Sequence, residues 1–184
     1  MISKFFSVRS LWILVLTQTL VLAWMLTKSQ EKGSQDRKFL NAKVVEGSRL
    51  SLDSSISAGL ISQIEKQSFV GRKAALLLFA STDCPACAME IAFWNETASK
   101  FGKQIVFQSF FLSDSQSVRH FVRDNRVAFP AIPDRNGDLV FKRNQITFVP
   151  TAILVDRDLR VQKKWTGILA DIEKNEIGDF LVNR

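Results

Sequence analysis

The chain has 184 residues, carries 46% apolar side chains with 15 Phe and 4 Trp, and has a net charge of +7. This is enough to bury one core of ordinary size without crosslinks, and two cysteines cannot form the disulfide framework of a small secreted protein. The basic residues are dispersed, with only short runs such as "FKRN" and "QKK"; without a clustered basic stripe and aromatic platforms, no nucleic-acid partner is expected.

The N-terminus is a different kind of sequence. Lys4 and Arg9 come first, no acidic residue precedes Glu31, and residues 10–27 run without a charge. As a helix that run reaches about 27 Å at about 1.5 Å per residue, close to the roughly 30 Å of bilayer hydrocarbon. Trp12 and Trp24 stand near its two ends, where interfacial aromatics sit, and Thr17-Gln18-Thr19 makes its centre polar. A cleavable signal peptide ending near Val21-Leu22-Ala23 is the competing reading. Trp24, Met25 and Leu26 continue the apolar run past that point, which suits an uncleaved anchor. Both readings export the rest of the chain, and the positive charge before the span keeps the N-terminus cytoplasmic. The expectation is a single-pass protein of a bacterial cytoplasmic membrane with its domain in the oxidising periplasm. Residues 1–27 form the anchor, the polar stretch 28–38 a linker, and residues 39–184 the domain.

Within the domain, residues 44–53 hold two apolar stretches around Glu46-Gly47-Ser48, the pattern of a hairpin. Leu60, Ile61, Ile64 and Phe69 come next at helical spacing. "AALLLFAS", residues 74–81, is an unbroken apolar run of strand length, as in strands buried on both faces. From Pro85 the period becomes helical, with Ile91, Trp94, Ala98 and Phe101 three to four apart and Gly102 ending the run. Residues 104–112 read as the next strand. Ser113 or Asp114 caps a helix whose buried stripe is Val118, Phe121 and Val122. "FPAIPDRNGDLVFKRNQI" reads as a turn-rich connection with a short helix near 138–144. A strand, a tight turn at Asp156-Arg157-Asp158 and a second strand come after it, and Ala170–Arg184 closes as an amphipathic helix. The alternation predicts an α/β domain with a central mixed sheet flanked by helices.

The two cysteines, Cys84 and Cys87, fall where the first core strand hands over to its helix. A helix N-terminus offers unpaired N–H groups and the positive end of the dipole, which favours the thiolate, the nucleophilic form. Pro85 suits the first helical turn. Cys84 is then the attacking sulfur, forming a mixed disulfide with a partner protein, and Cys87, one turn further in, the resolving sulfur that displaces it. Zinc would need about four ligands, and the only His, His120, is remote in sequence. Haem attachment needs His after the second Cys, where Ala88 stands. A purely structural disulfide remains open, although so short a loop restrains an unfolded chain little. No metal or cofactor is implied.

Residues 40–184 resemble the thioredoxin-like superfamily, and more narrowly its membrane-anchored TlpA/ResA-type thiol–disulfide oxidoreductases. The resemblance rests on "LLLFASTDCPACAMEI", "FPAIPDRNGDLVF", "FVPTAILVDRDLRVQKKWTG" and the N-terminal hairpin at residues 44–53. It implies a thioredoxin-like fold with that hairpin added, and a redox-active disulfide between Cys84 and Cys87. It makes Pro150 the cis-proline beside the sulfurs, with Val149 and Pro85 meeting the incoming peptide. Glu90 matches the acidic residue of these anchored proteins and would shuttle a proton to or from Cys87. Two positions depart: Leu78 stands where thioredoxin has a buried Asp, and Asp83 replaces the usual Trp before the first Cys. A carboxylate there opposes thiolate formation at Cys84.

The resemblance further implies exchange with protein thiols and disulfides as a reductase of selected extracytoplasmic substrates, for cytochrome c maturation or a similar task, supplied by a membrane electron donor. The alternative is a copper-handling metallochaperone of the same fold. A peroxiredoxin, or a general disulfide oxidase or isomerase, stands behind both.

Overall fold

The computed structural model describes residues 44–65 and 74–182, together with Gln18, Thr19, Val21 and Trp24, which are helical with exposed side chains. The chain divides into two compact units, Met1–Phe39 and Leu40–Arg184. The expected anchor and linker otherwise lie outside the described residues; among those described, no helix is long and apolar enough to cross a membrane.

In the second unit the elements are α1 (Ser54–Glu65), β1 (Ala74–Ala80), α2 (Pro85–Phe101), β2 (Val106–Phe111), α3 (Ser115–Asp124), β3 (Ala131–Pro133), α4 (Phe141–Asn144), β4 (Thr151–Asp156), β5 (Val161–Thr166) and α5 (Asp171–Val182). The strands form one sheet in the order β3-β2-β1-β4-β5. β1 and β2 are parallel, as are β2 and β3, whereas β4 runs antiparallel to both β1 and β5. This is the expected mixed sheet.

β1 lies at the centre, and all seven of its residues are buried. Because successive side chains of a strand point to opposite faces, it feeds two separate cores. Leu76, Leu78 and Ala80 join Ile91, Trp94, Phe101, Val118, Phe121, Ile177 and Leu181, under α2, α3 and α5. Ala75, Leu77 and Phe79 join Val44, Leu50, Leu52, Leu60, Val140 and Phe141 on the other face. There the Phe79 ring stacks on Phe110 at 5.6 Å and meets Phe141 edge-on at 5.6 Å.

Two segments differ from the sequence reading. The stretch 131–133, read as part of a turn-rich connection, forms the short edge strand β3, pairing Ala131 with Ser109 and Pro133 with Phe111. Its bracketing prolines conceal it, since proline is confined to sheet edges and strand ends. The short helix near 138–144 is trimmed to Phe141–Asn144, because the Asp134 carboxylate accepts from the N–H groups of Leu139 and Val140 just before it. Around the expected hairpin, the chain turns at Val45–Ser48 and then pairs with the β4–β5 turn: the Gly47 N–H donates to Val161 O at 2.7 Å and Leu50 N–H to Leu159 O at 2.8 Å. Residues 40–43 lie outside the described residues, as do the Ile64 side chain and Phe69.

Candidate active site

β1 ends at Ala80 and α2 begins at Pro85, so the chain turns at the C-terminal end of the central strand. Ser113, just before α3, pins this turn: its Oγ accepts from the Thr82 N–H at 3.1 Å and from the Thr82 hydroxyl at 2.9 Å. Asp114 takes the α3 cap, accepting from the N–H groups of Gln116 and Ser117. Cys84 is the N-cap of α2, with extended backbone at φ −102° and ψ 103°, and Pro85 opens the helix. The Cys87 N–H donates to Cys84 Sγ at 3.1 Å, in the way a cap side chain receives an orphan helix donor.

Cys84 and Cys87 are joined in a disulfide, their Cα atoms 5.2 Å apart. The two sulfurs occupy different settings. Cys84 is half-buried and borders an open cleft of about 650 Å³, lined also by Asp83, Pro85, Ser117, His120 and Asp124. Cys87 is buried and faces a narrow internal cavity with Glu90, Trp94, Pro150 and Trp165. One sulfur is thus reachable from solvent, and the other is held behind it.

The register of the sheet brings the second part of the site here. β1 and β4 are antiparallel and Phe79 pairs with Thr151, so the chain entering β4 lies beside the chain leaving β1. That entry contains the cis peptide bond between Val149 and Pro150. Cys84 Sγ lies 3.9 Å from the Val149 carbonyl oxygen. The Gly167 N–H, just past β5, donates to Pro150 O at 2.8 Å, with Gly167 at φ +86°, a backbone region where glycine avoids the steric cost borne by other residues. Phe148 and Ile168, exposed apolar residues, flank this loop. The sequence reading did not single them out; large apolar side chains near a turn carry no mark of exposure.

Glu90 is on the same face of α2 as Cys87, one turn on, and only 3% of it is exposed. Its Oε2 has no hydrogen-bond partner among the described residues, and its Oε1 lies 3.7 Å from Lys174 Nζ of α5. Burial pushes its carboxyl above the usual carboxylate range, while the Lys174 ammonium and the Leu169 backbone N–H pull it part of the way back. Lys174 was missed in the sequence, where it reads as one polar residue of an amphipathic helix. The sequence-predicted residues Cys84, Cys87, Glu90, Val149 and Pro150 therefore gather at one end of the sheet, with Pro85 exposed beside them. His120 is exposed and borders the same cleft as Cys84.

No family model matches the chain, and no curated relative does. Solved structures do. StoA from Bacillus subtilis is similar at 20% identity with a TM-score of 0.51, covering 58% of this chain and 81% of its own. A secreted Mycobacterium tuberculosis disulfide oxidoreductase homologous to E. coli DsbE is similar at 18% identity and a TM-score of 0.51, over 60% of this chain and 81% of that one. The thioredoxin domain of a thiol-disulfide oxidoreductase from Bacteroides vulgatus reaches a TM-score of 0.58 at 16% identity, over 75% of this chain and 99% of that one. The chain therefore has the thioredoxin-like fold, with its Cys84–Cys87 disulfide where the central strand enters the first long helix of the sheet.

Proposed function

We propose that this protein is an exported, membrane-anchored thiol–disulfide oxidoreductase that reduces selected disulfides of other extracytoplasmic proteins, in cytochrome c maturation or a task of similar chemistry. The observation that carries this reading is the split setting of the disulfide, with Cys84 at a helix N-cap on an open cleft and Cys87 enclosed behind it. The structures similar to this chain include proteins described as thiol-disulfide oxidoreductases, which supports the reaction class. The uncharged N-terminal run after Lys4 and Arg9 supports the anchor and the periplasmic side.

In the reduced protein, the Cys87 N–H and the helix dipole stabilise the Cys84 thiolate. That thiolate attacks one sulfur of a substrate disulfide, the S–S bond breaks, and the other substrate sulfur leaves as a thiolate. The product is a mixed disulfide on Cys84. Cys87 then gives up its proton, attacks Cys84 Sγ and releases the second substrate thiolate. Two electrons pass to the substrate, and the Cys84–Cys87 disulfide remains. Glu90, facing the same cavity as Cys87, accepts the proton directly or through one water. Val149 presents its backbone beside Cys84, where a substrate strand would pair. A membrane dithiol donor returns the site to its reduced state.

Equilibration of the purified protein with glutathione redox buffers tests the direction. A potential near the thioredoxin value of about −270 mV supports a reductase, and one near about −120 mV makes the protein an oxidant. Cys84→Ser must abolish exchange, and Cys87→Ser must accumulate mixed disulfides with partner proteins.

A further inference from the structure

The C-terminal helix α5 takes part in the site. Lys174 reaches from α5 to α2, where its Nζ stands 3.7 Å from Glu90 Oε1 and 5.6 Å from the centroid of the Phe93 ring. Glu90 and Phe93 are one turn apart on α2, so carboxylate and ring face together hold one ammonium. The ion pair is asymmetric. Glu90 is almost fully buried, whereas the Lys174 side chain keeps 31% of its surface exposed. A buried carboxylate is costly to ionise unless a cation stands beside it. Its other oxygen, Oε2, has no hydrogen-bond partner among the described residues, and the residue shares its cavity with Cys87.

Several groups bear on Glu90. Cys87 lies on its own helix and faces the same cavity. From α5 come Lys174 and, further off, Glu173, whose Oε2 accepts from the Ala170 N–H at 2.8 Å. The Leu169 backbone N–H approaches from the loop before α5. The strands contribute Ser109, Thr151 and Trp165 to the cavity wall, none of which carries a charge. Lys174 is therefore the cation among the described residues that acts on this carboxylate.

We infer that Lys174 is a positioning residue for thiol–disulfide exchange: by holding the Glu90 carboxylate ionised beside Cys87, it sets the pH above which Cys87 can lose its proton and resolve the mixed disulfide. This inference rests on the exchange reaction proposed above. It implies that the docking of the last helix governs the second half of the reaction and leaves the first half, at Cys84, untouched. Without the ammonium, Glu90 holds its own proton to a higher pH and cannot take that of Cys87. The acid limb of the resolving step then moves upward, by about one pH unit, at the low end of what an adjacent opposite charge produces because Lys174 is partly solvated.

The test uses the reduced full-length protein and a nitrobenzoate disulfide reagent that releases a coloured thiolate at each step. The first release reports attack by Cys84, and the second reports resolution by Cys87. Both phases are followed against pH in the wild type and in Lys174→Met, Lys174→Arg, Glu90→Gln and the Glu90→Gln/Lys174→Met double variant. Lys174→Met is expected to move the acid limb of the second phase up by about one unit, roughly a tenfold slowing below it, with the first phase unchanged. Lys174→Arg should keep the limb near its wild-type place. In the Glu90→Gln background, Lys174→Met should have no further effect on the profile. A merely structural lysine would lower the melting temperature and leave the limb in place, and that result overturns the inference. So does an equal shift in Lys174→Arg, or a shift that persists in the double variant. If the wild type releases no thiolate in either phase, it is the exchange reaction that fails.

Discussion

The two faces of the sheet are built from alternate residues of the same strands and differ in what their cores enclose. On the face with Phe79, Leu77 and Ile153, aromatic and aliphatic groups interlock, with Phe79 stacked on Phe110 and edge-on to Phe141. On the face with Leu76, Leu78 and Leu154, the same kind of packing encloses Cys87 and Glu90, whose Oε2 has no hydrogen-bond partner among the described residues. The first face supports the fold. The second encloses an ionisable carboxyl beside the inner sulfur, and a buried polar atom without a partner costs about 1–3 kcal/mol or more; the only other such side-chain atom among the described residues, Thr166 Oγ1, belongs to an uncharged hydroxyl. What separates the faces is the ionisable carboxyl and the disulfide enclosed on one of them, while the other holds the frame.

The comparison can be broken most directly at the sulfurs. Cys84→Ser is expected to remove exchange altogether while the far-ultraviolet circular dichroism stays native; retained turnover of a peptide disulfide would remove the site from this end of the sheet. The next largest effect belongs to the inert face. Phe79→Ala should cost about 3–5 kcal/mol in denaturant unfolding, with the pH profile of exchange unmoved in what folds. Ile153→Val, at about 0.5–1.5 kcal/mol, provides a milder probe if the alanine variant does not fold. A change in the pH profile from either would show that the two faces are not separable.

Glu90→Gln probes the reactive face and should slow the resolving step on the order of 10²-fold, the lower range for general acid–base catalysis. Its stability carries a signed expectation. The folded protein holds the Glu90 proton more tightly than the unfolded chain does. Wild-type stability should therefore fall as pH rises from the ordinary carboxylate range through the raised folded value. Glu90→Gln should lack that fall, so its melting temperature relative to wild type should improve toward neutral pH; a parallel pair of curves would count against a buried, titrating Glu90. The smallest effect is expected at the rim. Asp83→Asn removes an exposed carboxylate next to Cys84 and should lower the pH midpoint of Cys84 alkylation by roughly half a unit, as for one charge screened by water.

Much of the site was legible before the fold was known, because its parts are local. The unbroken run Ala74–Ala80, the cysteine at the cap, Pro85 at the first turn and the stripe Ile91, Trp94, Phe101 all express short-range rules of strand and helix. β3 was hidden by its prolines, and the choice between Ser113 and Asp114 as cap was settled by hydrogen bonds that fall on Asp114 while Ser113 turns to Thr82.

By itself, the sequence determined the long strands and helices but not the edge strand β3, that the two cysteines sit at a helix start, and that the core is large. Those features come from periodicity and from the backbone's need for partners at helix ends, both properties of neighbours along the chain. The family resemblance implied that Val149 meets the site beside the sulfurs, and the structure gives its carbonyl 3.9 Å from Cys84 Sγ; the tertiary structure alone decided how deeply Glu90 is buried in its helix and that Lys174 stands beside it. The antiparallel register of β1 with β4 and the docking of α5 on α2 make those contacts. Burial and charge pairing arise between residues far apart in the chain, so no local pattern records them.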